Sequence, residues 1–164
     1  VDEMNQIVLE ILSLSSVQEL AGDKEWIQLD QVLEQILDQY KVLAQSRALT
    51  IDNQIPDKAV YMDPAILKLV LSNVISNAVK HSDAGGEIQL RLEEEGTHLA
   101  VENTSQEMVE TAEMPMTASR QKKEGGLGLF VVQHLLDHEE LAYQFDKTAM
   151  GLRFRMELPK DPQE

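Results

Sequence analysis

Residues 73–86 read NVISNAVKHSDAGG and place two asparagines inside a segment that is otherwise typical of a buried helix. Asn73 and Asn77 are four residues apart, so both amides lie on one helical face, and Lys80, three residues further on, joins them. A histidine and a glycine pair follow where this helix is expected to end. An apolar helix with one polar stripe indicates that something polar binds against that stripe.

The composition restricts the classes of protein to which the chain can belong. With 164 residues, 43% hydrophobic and 26% charged, it can bury the core of one domain. The sequence contains no apolar run of membrane-spanning length and no signal-peptide pattern, and the absence of cysteine excludes disulfides and thiolate-bound zinc. The net charge of -15 predicts no nucleic-acid partner, because phosphate binding needs clustered Lys and Arg. An anionic ligand would need backbone amides, a lysine or a metal ion.

The first half of the chain predicts helices that alternate with short strands. An amphipathic stripe through residues 29–48 predicts a helix that packs on a broad apolar surface. The sequences of residues 49–55 and 59–62 predict two short strands around a Pro-Asp turn. Asp63 followed by Pro64 is a good N-cap and first-turn pair for the helix that carries the two asparagines.

The second half predicts two more strand pairs and a further helix. Apolar and polar residues alternate through residues 87–103, on either side of Glu95 and Gly96, which predicts antiparallel strands joined by a tight turn. Residues 104–126 break every periodicity and predict a lid or binding loop. A helix from residue 127 and a final strand pair complete the chain. We therefore predict an α/β sandwich with a mixed, mostly antiparallel sheet of about five strands covered by about three helices.

Two segments resemble the motifs of a known family. LVLSNVISNAVKHS, residues 69–82, resembles the N box, and GGLGLFVVQHLL, residues 125–136, resembles the second glycine box, of the ATP-binding domain of sensor histidine kinases. That domain belongs to the superfamily of gyrase, Hsp90, histidine kinase and MutL ATPases. The order of the predicted elements matches it over essentially the whole chain. The resemblance implies a domain that binds Mg-ATP and donates the γ-phosphoryl group to a histidine.

The resemblance also implies roles for the residues of the N box. In the family, the asparagine at the position of Asn77 coordinates Mg²⁺ through its amide oxygen, a suitable hard ligand. Lys80 would lie near the phosphates as a point charge, and His81 would lie beside the nucleotide. Asn73 stands where the water-activating members of the superfamily carry a glutamate. Because an amide cannot accept a proton from water, the resemblance implies slow hydrolysis and transfer to a protein acceptor.

The glycine box would bind phosphate through its backbone. The resemblance implies that Gly126, Leu127, Gly128 and Leu129 present N–H groups to phosphate oxygens at the N-terminus of a helix. No Lys-Ser or Lys-Thr pair follows these glycines, so the segment is not a P-loop.

The chain departs from the family at the first glycine box, which usually reads Asp-x-Gly-x-Gly. The aligned residues here are NTSQE. Asn103 takes the place of the aspartate that accepts a hydrogen bond from the adenine amino group, and its side-chain oxygen can still accept. Ser105 and Glu107 replace the two glycines. Nucleotide affinity and adenine selectivity are the properties that this departure affects.

The resemblance implies that the chain is part of a larger kinase. None of the four histidines lies in the pattern that surrounds the phosphoacceptor of the family, so the acceptor is expected upstream. Residues 1–22 resemble the C-terminal part of the dimerisation and histidine-phosphotransfer helix, and residues 26–160 form the expected catalytic domain, with the lid at 104–126. The expected partners are these helices and a response regulator, in a homodimeric, membrane-anchored parent of which this is a cytoplasmic domain.

Several alternatives remain open at the level of sequence. Asn73 and Asn77 could satisfy buried backbone groups at a helix interface, and the glycines could only cap a loop. His134 and His138 have the i, i+4 spacing of zinc ligands but lack an evident third ligand. The whole module could be a degenerate, non-catalytic relative that acts through protein contacts. It could also be a serine kinase of the anti-sigma-factor type.

Overall fold

The computed structural model describes residues 22–106 and 127–162, which form a five-stranded sheet and a separate two-stranded sheet with helices. The strand order of the larger sheet is β2-β4-β5-β7-β6, and β1 pairs with β3 in the smaller one. The elements in chain order are β1 (Glu25–Gln28), α1 (Leu29–Gln39), α2 (Lys41–Ser46), β2 (Thr50–Asn53), β3 (Ala59–Met62), α3 (Pro64–His81), β4 (Glu87–Glu93), β5 (His98–Thr104), α4 (Leu127–His138), β6 (Tyr143–Lys147) and β7 (Gly151–Glu157).

The predicted strand pairs are present in the five-stranded sheet. β4 and β5 are antiparallel neighbours, as are β6 and β7, and β5 joins the two pairs by its antiparallel ladder with β7. Glu94, Glu95 and Gly96 have positive φ angles, which turn the chain tightly between β4 and β5. β2 alone runs parallel to its neighbour, β4. The predicted α/β sandwich with a mixed, mostly antiparallel sheet is confirmed.

The structure differs from the sequence-based expectation at its first strands and first helix. The strands predicted around the Pro-Asp turn both exist, but β2 belongs to the five-stranded sheet and β3 pairs with β1, which the sequence did not predict. The single helix predicted over residues 29–48 is divided into α1 and α2 at Tyr40, whose φ of -99° and ψ of 6° are not helical.

One apolar core lies between the helices and one face of the five-stranded sheet, here called the covered face. Strand residues alternate between faces, so every second side chain of β4, β5 and β7 enters this core together with one side of α1, α3 and α4. The strand side chains of this core are Ile88, Leu90, Leu99, Val101, Phe154 and Met156. The opposite face carries mostly charged side chains and is called the charged face.

The helix with the two asparagines begins as predicted. Asp63 is buried, at 4% exposure, and its Oδ1 accepts a hydrogen bond from Ala65 N at 2.9 Å. Its second oxygen, Oδ2, accepts from Gly22 N at 2.7 Å. Pro64 occupies the first turn, where no backbone donor is needed. One carboxylate therefore fixes both the start of α3 and the first residue of the described chain.

Some sequence-based expectations lie outside the described residues. These are the helix expected over residues 1–22, of which only Gly22 is described, most of the lid expected over 104–126, and Gly126. Within the described ranges, none of the helices combines the length and the apolar character that a membrane span requires.

Candidate functional site

Asn73 lies where α3 packs against the first turn of α4. Its Nδ2 donates a hydrogen bond to Leu69 O, one helical turn earlier, at 2.7 Å. Its Oδ1 faces Gly128, where an added Cβ would approach this oxygen to 3.1 Å. The glycine therefore allows the close approach of α4, and the amide of Asn73 is oriented by the backbone of its own helix.

Asn77 and Asn103 line the same small cavity, although 26 residues separate them in the sequence. Asn77 contributes from α3, Asn103 from the covered face of β5, and Leu129 from α4. Asn103 is buried at 5% exposure. The cavity volume is about 10 Å³, close to the space that one water molecule needs. A larger group that contacts both amides would therefore lie at the rim of this cavity and not inside it.

Two aromatic residues of the cavity wall were not predicted as site residues. Phe145 of β6 and Phe154 of β7 both line it, with ring centroids 5.2 Å apart. The alternation of β6 and β7 could have placed both rings on the covered face. It could not have identified Asn77 and Asn103 as their neighbours, because that depends on the strand order.

The C-terminal end of α3 presents Lys80 and His81 at the surface. Both are in the last helical turn, where a positive charge is favourable to the helix dipole. Ser82 ends the helix: its N–H and its Oγ both donate to Ala78 O, at 3.1 and 2.5 Å. Arg47 Nη2 donates to the carbonyl oxygen of Ser82 and joins α2 to this end. Lys80 and His81 are thus held on a well-bonded helix terminus.

Asp83 connects the end of α3 to the end of β5, and the sequence did not single it out. Its backbone N–H donates to Thr104 O at 3.0 Å, and its Oδ2 accepts from Gln106 N at 2.6 Å. Gly86 makes the close approach possible, since a Cβ there would lie 2.9 Å from both Asp83 O and the Thr104 Cβ. The carboxylate after a helix and the following glycines are the sequence signal that could have indicated this connection.

The structure describes the glycine box from Leu127 onward, where α4 begins. Leu127 begins the helix, Gly128 packs on Asn73, and Leu129 is buried in the cavity wall. Of the predicted site residues, the structure therefore brings Asn73 and Gly128 into one group and Asn77, Asn103 and Leu129 into another. Lys80 and His81 are carried by the same helix, α3, at its exposed end.

The site offers few side-chain donors, so a cation bound there would take most of its ligands from outside the protein. No group of three or more His, Cys, Asp or Glu side chains that could hold a metal occurs among residues 22–106 and 127–162. Asn77 offers one neutral amide oxygen, so a Mg²⁺ ion there would take its other oxygen ligands from phosphates and water. The zinc alternative for His134 and His138 gains no third ligand in the described chain, and the His134 ring instead stacks on Phe130, with centroids 6.2 Å apart.

The sequence matches the family model described as histidine kinase-, DNA gyrase B-, and HSP90-like ATPase over residues 62–162. It is 31% identical over 167 residues to the sensor histidine protein kinase HK06 of Streptococcus pneumoniae, covering 96% of this chain and 37% of that protein. It is 29% identical over 172 residues to the sensor protein VanSB of Enterococcus faecalis, covering 96% of this chain and 38% of the relative. The chain thus spans well under half the length of these relatives.

Solved structures of low sequence identity share the fold. The cytoplasmic segment of histidine kinase QseC has a TM-score of 0.68 and 18% identity, covering 98% of this chain and 95% of that one. A nucleotide-free catalytic domain of histidine kinase ThkA has a TM-score of 0.69 and 18% identity, covering 85% and 98%.

Proposed function

The chain belongs to the family of histidine kinase-, DNA gyrase B-, and HSP90-like ATPases, and from this premise we propose that it is the ATP-binding catalytic domain of a two-component sensor histidine kinase. Membership of this ATPase family implies that the domain binds ATP. In the proposed reaction the γ-phosphoryl group of Mg-ATP passes to a histidine upstream of this chain. The similarity over 96% of the chain to a sensor histidine protein kinase, and to a sensor protein, supports this proposal.

The observation that carries the proposal is the meeting of Asn77 and Asn103 at one cavity. Asn77 would hold Mg²⁺ through its amide oxygen, and Asn103 would accept a hydrogen bond from the adenine amino group. Adenine and the phosphates lie at opposite ends of ATP, so the nucleotide would extend from the rim of the cavity along α3. At the rim of the cavity, the partly exposed ring of Phe145 would supply an apolar contact for the base.

The phosphates would be bound on the Mg²⁺ side of the site, next to Asn77. Lys80 offers a point charge on the exposed end of α3, and His81 would lie beside the nucleotide. Gly126, Leu127, Gly128 and Leu129 would offer backbone N–H groups at the N-terminus of α4, where the helix dipole favours negative charge. Mg²⁺ bound with ATP would neutralise charge on the phosphates during transfer.

Asn73 makes transfer to a protein more favourable than transfer to water. Its amide already donates to Leu69 O, and an amide oxygen is too weak a base to take a proton from water. The domain would therefore contribute positioning and charge neutralisation, while the acceptor histidine supplies the nucleophile. Residues 104–126 would close over the nucleotide as a lid.

The wider arrangement is part of the same proposal. Residues 1–22 would be the end of the dimerisation and phosphotransfer helix, and residues 26–160 the catalytic domain. The parent would be a homodimer anchored in a membrane, with this domain in the cytoplasm. A response regulator would then receive the phosphoryl group on an aspartate. The names of the relatives, a sensor histidine protein kinase and a sensor protein, support the part of this proposal that makes the parent a sensor kinase.

Calorimetric titration with a non-hydrolysable ATP analogue, with and without Mg²⁺, tests the proposal. We expect Mg²⁺-dependent binding that Asn77→Ala weakens by at least about tenfold, since a metal ligand is lost. Asn53→Ala removes the same amide from β2, outside the cavity, and should leave the affinity unchanged. The full-length protein supplied with labelled ATP should then label a histidine upstream of this chain.

The altered NTSQE segment supports a second candidate, a module that has kept the fold without catalysis. Ser105 stands where the family usually has glycine, it is buried at 5% exposure, and its N–H donates to Met150 O at 3.2 Å. The absence of binding up to millimolar analogue, by chain shown to be folded by its circular dichroism, would favour this candidate. Equal binding by wild type and Asn77→Ala would instead show that the N box is wrongly assigned.

A further inference from the structure

The outer edge of β2 has backbone groups that no other described strand uses. β2 pairs only with β4 among residues 22–106 and 127–162. Thr50 N donates to Gly86 O at 3.0 Å and Gln54 N donates to Leu90 O at 2.8 Å. Alternate residues of a parallel strand turn their N–H and C=O groups to alternate sides. The backbone groups of Ile51 and Asn53 therefore point away from β4, along the free edge.

An apolar groove lies directly beside this edge. It has a volume of about 370 Å³ and runs between β2 and the helices α1 and α2. Its apolar walls include Leu37 of α1, Ala44 of α2, and Leu49 and Ile51 at the edge itself. The side chain of Ile51 enters the groove while its backbone groups face outward. A free strand edge and an apolar groove at the same place are the two features that strand addition requires.

The helical wall of the groove is acidic. Glu34 and Asp38 are one helical turn apart on α1, so both lie on the side that lines the groove, and both are exposed. Neither forms an ion pair with another described residue. Lys41 is the one basic residue of the lining. Basic side chains of a bound segment would meet unpaired carboxylates along this wall.

We propose that the edge of β2 is a docking site for an extended, basic segment of a partner protein. The segment adds to the sheet through Ile51 and Asn53, places its apolar side chains in the groove and directs lysine or arginine at Glu34 and Asp38. A second copy of this chain does not fit the site, because its net charge of -15 and its own acidic wall would oppose the contact. With only two edge residues available, the affinity is modest and the contact is reversible.

The first test uses a defined probe, a capped hexapeptide of alternating lysine and valine, titrated into isotope-labelled chain and followed by amide NMR shifts. We expect saturable shifts confined to residues 49–53 and the groove-lining parts of α1 and α2. Methylation of the peptide nitrogens that face β2 should abolish binding, whereas methylation of the alternate nitrogens should not. Shifts spread over the surface, or equal effects of both methylated peptides, would overturn the proposal.

A pair of double variants separates the acidic wall from general charge. Glu34→Gln with Asp38→Asn removes two carboxylates of the wall, and Asp23→Asn with Glu25→Gln removes two exposed carboxylates outside the groove lining, with the same change of net charge. We expect the first pair to weaken peptide binding about three- to tenfold and the second to leave it nearly unchanged. Equal weakening by both pairs, or a concentration-dependent dimer in sedimentation that competes with the peptide, would overturn the proposal. None of these residues belongs to the nucleotide site, so nucleotide binding is an independent readout.

Discussion

The covered and charged faces of the five-stranded sheet are built from the same strands but held together by different forces. Along β7, Phe154 and Met156 enter the apolar core, while Arg153 and Arg155 join ion pairs on the opposite face. Full burial of a large apolar side chain contributes about 1.5–3 kcal/mol. A solvent-accessible ion pair contributes about 0–1 kcal/mol. Alternation along one strand thus separates the residues that contribute most to the stability of the fold from those that keep the opposite face polar.

The charged face is a network in which Glu93 has several partners. Its carboxylate lies 3.0 Å from Arg91 Nε, 3.3 Å from Arg155 Nε and 3.9 Å from Arg153 Nη1. Arg153 also pairs with Asp146 at 3.0 Å, and that hydrogen bond is the main cause that raises the pKa of Arg153. Because each group keeps another partner when one is removed, single substitutions here should be tolerated.

The largest expected effect compares two neighbours on β7. Phe154→Ala should lower the free energy of unfolding by about 3–5 kcal/mol, because it leaves a cavity beside Phe145 in the core. Arg155→Ala should lower it by about 1 kcal/mol or less, since Glu93 retains its other arginines. Urea unfolding followed by circular dichroism measures both. Equal losses would mean that the charged face contributes as much as the core.

The next prediction concerns the backbone of the sheet, which lies between the two faces. Gly151, at the start of β7, lies so close to β5 that an added Cβ would meet the backbone at Asn103 O and Ser105 N. Gly151→Ala should therefore cost about 1–3 kcal/mol through displaced backbone. It should also alter nucleotide binding more than Arg155→Ala does, since Asn103 belongs to the proposed site and Arg155 lies on the opposite face. If urea unfolding shows unchanged stability, the ends of β5 and β7 can move apart without a measurable loss of free energy.

The alternation that separates the faces could be read from the sequence, whereas strand partners could not. The β4–β5 hairpin, the Asp63 cap and the polar stripe of α3 all follow from spacings within one segment. β1 has only four residues and no clear alternation, and its pairing with β3 depends on which distant strand is nearest. The break at Tyr40 was missed because the hydrophobic stripe continues across it.

Prediction of the site from the sequence has the same limit. The spacing of Asn73, Asn77 and Lys80 placed them on one side of α3, and the resemblance added Asn103 and Gly128. The contacts of Phe145 with the cavity and of Asp83 with Gln106 depend on tertiary packing, which brings together segments with no shared pattern. Local spacing predicts a face, and only the fold identifies what lies against it.

A smaller loss of stability is expected when a buried polar group on the covered side of the sheet is removed. Asp63→Ala removes the cap of α3 and the acceptor of Gly22 N, and should cost about 1–2 kcal/mol. Asp63→Ser keeps a capping oxygen for Ala65 N and should recover part of this loss. Urea unfolding of both variants gives the comparison. If serine recovers nothing, the contact with Gly22 and not the cap is the important one.

The smallest effect comes from Tyr143, whose side chain packs against the core from β6 while its neighbours Gln144 and Asp146 form a hydrogen bond with each other. Burial raises the pKa of its hydroxyl, and the charge and hydrogen bond of Asp137 raise it further. A phenol whose pKa is higher in the folded state stabilises the fold fully below its ordinary value of about 10, and this contribution is lost as the pH rises through the folded value. Wild type should therefore lose more stability than Tyr143→Phe between about pH 8 and about pH 11, as measured by the urea midpoint. Asp137→Asn should lie between them, because it removes the charge and leaves the burial. If wild type and Tyr143→Phe decline in parallel, the alkaline sensitivity must arise from other titratable groups.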